Sequence, residues 1–195
     1  MTSVGELFAA IEFNGDFSYS RQVFGSGREN NVVNRDYTAG MAFYFLSLTA
    51  IEFNYSLGRE IITQDEDREI SDLGLTIQSS QSRINKEVYG VGLRQALAPR
   101  GSFIFPTVSL GYAKQFSRSQ RDFVFIDNTT NVVTNAQGTV DKQRQDSFFG
   151  TFALSLKLTK SLSFRGSVRT VFPFFKSDQA RDNIRYGLGL SWLFQ

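Results

Sequence analysis

The segment from Ile184 to Phe194 alternates without interruption. Ile184, Tyr186, Leu188, Leu190, Trp192 and Phe194 are large and apolar, while Arg185, Gly187, Gly189, Ser191 and Leu193 between them are mostly small or polar. A two-residue period marks a β-strand with two unlike faces, because successive side chains leave opposite sides of the pleat. Such a strand suits two environments. A soluble barrel turns the apolar row inward, and a membrane barrel turns it outward against lipid.

The same period recurs along the chain and predicts eight strands. The first runs from about Glu6 to Ser20, with Leu7, Ala9, Ile11, Phe13, Phe17 and Tyr19 on one side. The others are expected at about Arg35–Leu46, Ile51–Gly58, Ile84–Leu97, Ile104–Phe116, Ser147–Leu158, Leu162–Phe174 and Ile184–Phe194. Pro106 cannot donate a ladder hydrogen bond, so it is expected near a strand start or at a bulge. No stretch shows helical periodicity.

The connections alternate in length. Leu46–Thr49, Ala98–Gly101 and Thr159–Ser161 are tight, whereas the polar stretch from Gly25, the excursion between the third and fourth strands, and Arg118–Arg144 are long. In a meander, alternate connections lie at opposite ends. All tight turns therefore gather at one end and the long connections at the other, which is the asymmetry of outer-membrane barrels. Tyr19, Tyr37, Tyr112 and Phe174 are expected at the long-connection end of the apolar rows, and Phe45, Ile51, Trp192 and Phe194 at the turn end, as two interfacial girdles. A soluble lipocalin-like barrel or sandwich is the competing fold. Its solvent face would favour long charged side chains over pairs such as Gly90/Gly92 and Gly187/Gly189, which suit a crowded interior.

Composition removes several functions. The 195 residues, read as one domain over 1–195, carry a net charge of +2, too little for a nucleic-acid footprint. With no Cys there is no disulfide framework and no thiolate metal site. The longest uncharged run, Tyr37 to Ile51, is shorter than the roughly 20 residues a spanning helix needs. Met1-Thr2-Ser3-Val4-Gly5 lacks the basic start and apolar stretch of a signal peptide, so export implies a leader outside this sequence.

Taken together, the alternating strands and the end asymmetry predict an all-β, eight-stranded antiparallel up-and-down transmembrane β-barrel. The whole chain resembles the small eight-stranded Gram-negative outer-membrane barrels of the OmpA transmembrane domain and OmpX type. The closing pattern Tyr186-x-Leu188-x-Leu190-x-Trp192-x-Phe194 is similar to the terminal assembly signal of that class, departing from it in the added Gln195. The resemblance implies a bacterial outer-membrane location and a monomer in contact with membrane lipid and lipopolysaccharide. It also implies internal ion pairs, in some relatives discussed as gates, and no cofactor. The barrel enzymes similar to this chain in size or shape use a His, and this sequence has none. A non-enzymatic role is therefore expected.

The polar rows collect Glu12, Asp16, Glu52, Arg94, Lys157, Arg165, Arg169 and Arg185. Inside a barrel, unpaired charges are very costly, so these residues are expected to meet as an ion-pair network filling the lumen. A narrow switchable conductance for ions, small solutes or apolar molecules is the alternative. Acid–base chemistry by Glu12 and Glu52 is disfavoured, because neighbouring Arg residues oppose the raised pKa it requires. The acidic cluster Asp65, Glu66, Asp67, Glu69 and Asp72 lacks the ordered spacing and Gly of a calcium loop, and is read as a solvated loop. Arg118, Arg121, Lys142, Arg144 and Arg181 are candidates for lipopolysaccharide phosphates. Phe123-Val124-Phe125-Ile126, followed by a turn at Asp127–Asn131, is expected to form a protruding hairpin whose edge can recruit a protein partner by strand addition.

Overall fold

In a computed structural model, which describes residues 10–24, 30–70, 74–99, 101–174, 180 and 183–194, eight antiparallel strands close into one barrel. They are β1 (Ala10–Phe24), β2 (Asn30–Tyr44), β3 (Thr49–Ile70), β4 (Leu75–Ala96), β5 (Ile104–Asp127), β6 (Val133–Lys157), β7 (Leu162–Pro173) and β8 (Arg185–Phe194). The expected start of the first strand at Glu6, Leu7 and Ala9 lies outside the described residues, as do Arg181 and Gln195. Each strand pairs with its sequence neighbour, and β1 pairs with β8 from Ile11↔Phe194 to Ser18↔Gly187. The seam leaves no open edge across the membrane-spanning part of the sheet. Hydrocarbon cannot solvate free N–H and C=O groups, so only such closure is viable there.

The barrel is inside out relative to a soluble protein. The β8 residues Tyr186, Leu188, Leu190, Trp192 and Phe194 all face outward, with Tyr186 72% exposed. They continue into a belt with Phe13, Phe17, Tyr37, Phe53, Tyr89, Leu110 and Phe152. The buried residues are instead mostly polar or small, Glu12, Asn14, Glu52, Arg94, Arg165 and Ser191 beside Ala42, Ala50 and Ala113, with Tyr44, Val88 and Phe149 the large exceptions. Aromatic pairs stitch the outer belt across strands, with Phe17–Tyr37 at 5.1 Å, Tyr55–Tyr89 at 4.9 Å and Phe13–Phe194 at 5.7 Å. Tyr112 stacks on Phe174 and donates to Asp146 at 2.6 Å.

Strands β3 to β6 run past their expected bounds. The stretches on either side of residues 71–74, and most of Arg118–Arg144, are paired strand, so the hairpin expected at Phe123–Ile126 is part of a larger extension. β3 and β4 stay paired to Ile70↔Leu75, β4 and β5 to Leu75↔Asp127, and β5 and β6 to Ile126↔Val133. A membrane-crossing strand needs only about 9–11 residues. The 10 residues of β8 match that length, whereas β3 to β6 have 22 to 25. The excess is a four-stranded sheet standing roughly 40–50 Å beyond the membrane along the strand direction, at about 3.3 Å per residue. Register shifts at Asp65/Arg68, Ile77/Ser79 and Ser117/Ser119 fall within or at the base of this extension. Such bulges bend and twist a strand, because one residue is left unpaired. At its tip, the Asp127 carboxylate accepts hydrogen bonds from Thr129 N (2.7 Å) and Thr130 N (3.0 Å). These donors hold its pKa below the usual carboxylate range. Asn131 closes the turn with φ 54°.

Glycine sets how closely the strands' inner side chains approach. Gly92 and Gly111 are opposite each other, and the Phe149 ring lies over both. A Cβ at Gly92 would stand 2.8 Å from Phe149 Cζ, and one at Gly111 would stand 2.6 Å from Phe149 Cε1. Both would also meet backbone of the neighbouring strand, which cannot yield as a side chain can. Gly111→Val is therefore expected to destabilise the barrel by about 1–3 kcal/mol through overpacking, and Gly138→Val, where the added Cβ has room, by much less. Denaturant unfolding of the two variants in lipid checks the difference.

Candidate functional site

The inward row of each strand meets at the barrel axis, and charge dominates it. Arg94, on β4, is fully buried (0% exposed) and acts as the hub. Its Nη1 lies 3.0 Å from Glu12 Oε1, its Nε donates to Glu52 Oε2 at 3.0 Å, and its Nη2 donates to Asn14 Oδ1 at 3.0 Å. Tyr44 donates to the other Glu12 oxygen at 2.8 Å. Two strands, β1 and β3, thus supply three acceptor residues to one guanidinium, whose planar fork suits several acceptors at once.

Arg165, on β7, continues the network. Its Nε donates to Asp16 Oδ2 at 3.2 Å, and its Nη1 lies 3.8 Å from Glu12 Oε1. Gly189 is the cross-strand partner of both Asp16 and Arg165. A Cβ there would meet Gly15 O and Asp16, so only glycine lets the two charges close over it. Further along the axis, Arg169 donates to Ser56 Oγ (3.0 Å) and Asn54 Oδ1 (2.7 Å) and lies over the Phe149 ring at 5.4 Å. Arg185 pairs with Asp36 and lies 4.0 Å from Glu60, which accepts from Lys86 Nζ at 2.7 Å.

Five of the eight charges proposed from sequence are joined by ion pairs: Glu12, Asp16, Glu52, Arg94 and Arg165. Arg169 and Arg185 line the same lumen, but Arg169 bonds to neutral Asn54 and Ser56, and Arg185 pairs with Asp36, outside the expected set. Lys157 does not join them. It has no ion-pair partner among the described residues and lines a small cavity of about 30 Å³ at the turn end, with Lys160 and Glu12. Sequence reasoning missed Asp36, Glu60, Lys86, Asn14, Asn54 and Tyr44 as members. Lys86 shares the even-numbered row of β4 with Arg94, and Glu60 shares that of β3 with Glu52. Continuing the two-residue period past the assumed strand ends finds both.

The lumen is closed in layers. At the turn end, Ala10, Ala42, Tyr44 and Ala50 pack with Phe105 and Leu193. The Arg94–Glu12–Glu52 layer follows. Above it, a polar cavity of about 90 Å³ is bounded by Asp16, Asp36, Arg165, Arg169 and Arg185. Such a polar space has room and partners for ordered water. Among the described residues, no group of carboxylates is arranged to hold a metal ion. The side chains of Asp65, Glu66, Asp67 and Glu69, and Asp72 altogether, lie outside what is described.

The basic residues expected at the surface are mostly engaged already. Lys142 pairs with Glu87 at 3.2 Å and covers the Phe116 ring, Arg144 lies 3.9 Å from Asp146, and Arg121 covers Phe123. The expected hairpin at Phe123–Ile126 is present as the paired ends of β5 and β6.

No family model matches the sequence, and no curated protein is significantly similar to it. Solved structures share its fold. The N-terminal β-barrel domain of Pseudomonas aeruginosa OprF matches over 95% of this chain and 97% of its own, at 13% identity and TM-score 0.52. Ail, the attachment invasion locus protein of Yersinia pestis, matches over 95% and 97% at 11% identity and TM-score 0.46. Neisserial surface protein A matches over the same shares at 10% identity and TM-score 0.42. The chain shares the closed eight-stranded barrel fold of the OprF domain.

Arg94→Met leaves Glu12 and Glu52 buried without their shared cation and is expected to cost about 3–5 kcal/mol. Replacing all three together (Glu12→Gln, Glu52→Gln, Arg94→Met) removes the uncompensated charge and is expected to recover most of that loss. Equilibrium unfolding in lipid vesicles, read by Trp192 fluorescence, measures both.

Proposed function

We propose that the protein is a non-enzymatic integral protein of the bacterial outer membrane, with a lumen filled by its ion-pair network, acting through the sheet that β3 to β6 raise above the membrane. One observation carries this reading. β6 pairs with β7 only from Ser147 onward, yet it begins at Val133. The edge from Val133 to Gln145 is exposed at every position, and among the described residues no strand pairs with it on that side. A long unpaired edge is a template for another strand, and proteins that do not use one usually shorten or cover it. A surface partner that adds an extended segment to β6 fits this edge, with main-chain hydrogen bonds supplying affinity. Adhesion is the role this favours. The outward row Tyr186, Leu188, Leu190, Trp192 and Phe194, lying at the closing seam, is proposed as the assembly signal.

The test shortens the hairpin without touching the barrel. Gln120 and Thr139 are register partners, so residues 121–138 are replaced by Asn-Gly, which suits a two-residue hairpin turn. Cells displaying the shortened protein are expected to lose attachment to host matrix or cell surfaces, while the barrel still folds and inserts. Attachment equal to that of the intact protein rules the reading out.

A second reading, a narrow conductance, is favoured by one observation: cavities lie on both sides of the Arg94 layer. Under the plugged-barrel reading, the intact protein gives no reproducible single-channel steps in planar bilayers. Arg94→Ala is expected to open them by clearing the constriction. Robust steps from the intact protein would favour the channel instead.

A further inference from the structure

Four cations face the luminal cavity above the Arg94 layer, and three of them are matched. Arg165 has Asp16 at 3.2 Å, Arg185 has Asp36, and Lys86 has Glu60 at 2.7 Å. Arg169 has no carboxylate within ion-pair distance among the described residues. Its hydrogen bonds go to Asn54 Oδ1 (2.7 Å) and Ser56 Oγ (3.0 Å), both neutral, and its remaining contact is the Phe149 ring. Glu52 also lines the cavity, but Arg94 holds it at 3.0 Å.

The charges on the cavity wall give the same result. Asp16, Asp36 and Glu52 stand against Lys86, Arg165, Arg169 and Arg185, three negative charges against four positive. A cation withdrawn from bulk water without a counter-charge is costly. A lysine can relieve that cost by shedding its proton, and an arginine cannot. The missing negative charge must therefore come from outside the chain.

The cavity has the donors and the room for it. Two of the five N–H donors of Arg169 are used, which leaves three. Arg165 is 1% exposed, and its Nη1 lines the same cavity without a hydrogen bond, since Glu12 Oε1 is 3.8 Å away. The volume of about 90 Å³ is several times the roughly 10–15 Å³ that one water needs. A group of a few heavy atoms fits.

We propose that this chamber binds a single small monovalent carboxylate, of formate or acetate size, as the counter-ion of Arg169. A planar carboxylate accepts two parallel N–H bonds from one guanidinium, and the Thr38 and Ser167 hydroxyls on the wall supply further donors. Asp16 does not bar a second carboxylate, because Arg165 already neutralises it. The site needs only the closed barrel and is independent of the β6 edge.

The test is equilibrium urea unfolding of the full chain in vesicles of zwitterionic lipid, read by Trp192 fluorescence, in sodium acetate or sodium gluconate at equal ionic strength. Gluconate carries the same carboxylate on a six-carbon chain, too large for the cavity. Acetate is expected to raise the urea midpoint along a saturable curve, by about 1 M at saturation, and gluconate to leave it unchanged. Arg169→Gln removes the unmatched charge and is expected to abolish the acetate response. Ser56→Asp sets a carboxylate beside Arg169 from within the chain, so it should raise the midpoint in gluconate and leave no further response to acetate. Where neither variant folds, ¹³C-labelled acetate decides on the intact protein: its line is expected to broaden, and excess formate, but not gluconate, to sharpen it again. Equal midpoints in the two salts, an acetate response that persists in either variant, or an acetate line unchanged by the intact protein each overturns the proposal.

Discussion

Every backbone polar group that crosses hydrocarbon must find its partner within the protein, and here that requirement is met at the seam between the first and last strands. The β1–β8 ladder turns an eight-stranded meander into a ring. Once the ring closes, the alternating side chains divide into two solvents. Phe, Tyr, Leu and Trp take the lipid, and the opposite row is forced into a lumen too narrow for bulk water. The charged interior follows from closure rather than causing it.

Inside, geometry limits what those charges can do. Arg94, on β4, meets two carboxylates and an amide because Glu12 and Asn14 of β1 reach across the lumen to it and Glu52 comes from the adjacent β3. Gly189 does the same for Asp16 and Arg165 by offering no side chain between them. The lower lumen is therefore tightly occupied, and space opens only above it, among Asp36, Arg169 and Arg185. Chemistry that needs an unpaired, tunable carboxylate has little room in such an arrangement. The proposed interaction with a protein partner accordingly lies outside the lumen, at the edge of β6.

Much of the transmembrane part is legible in the residues. Its period is sharp because lipid and lumen demand opposite polarities, as in Tyr186-Gly187-Leu188-Gly189. The extension beyond the membrane is legible only in part, in the hairpin at Phe123–Ile126. In Gln78-Ser79-Ser80-Gln81-Ser82, both faces meet water or neighbouring polar groups, so no apolar row marks the strand. Only its pairing with Gln64-Thr63 on β3 and Phe123 to Arg121 on β5 reveals it. The same uncertainty about strand ends hid Glu60, Lys86 and Asp36 from the expected network. Lys157 shows the converse: it lies on a strand that faces the lumen, but at the turn end, where it lines a separate cavity.

The sequence by itself determined the strand number, the meander, the inside-out polarity and the end that bears the long connections. Each of these is written as a local period or a run length, and lipid enforces that period strongly. Only the tertiary structure decided which charges touch, how far the sheet continues into water, and that Arg35 stands directly opposite Arg59. These depend on register, the relative offset of strands distant in sequence. Period alone says which face a residue takes and nothing about which residue stands opposite.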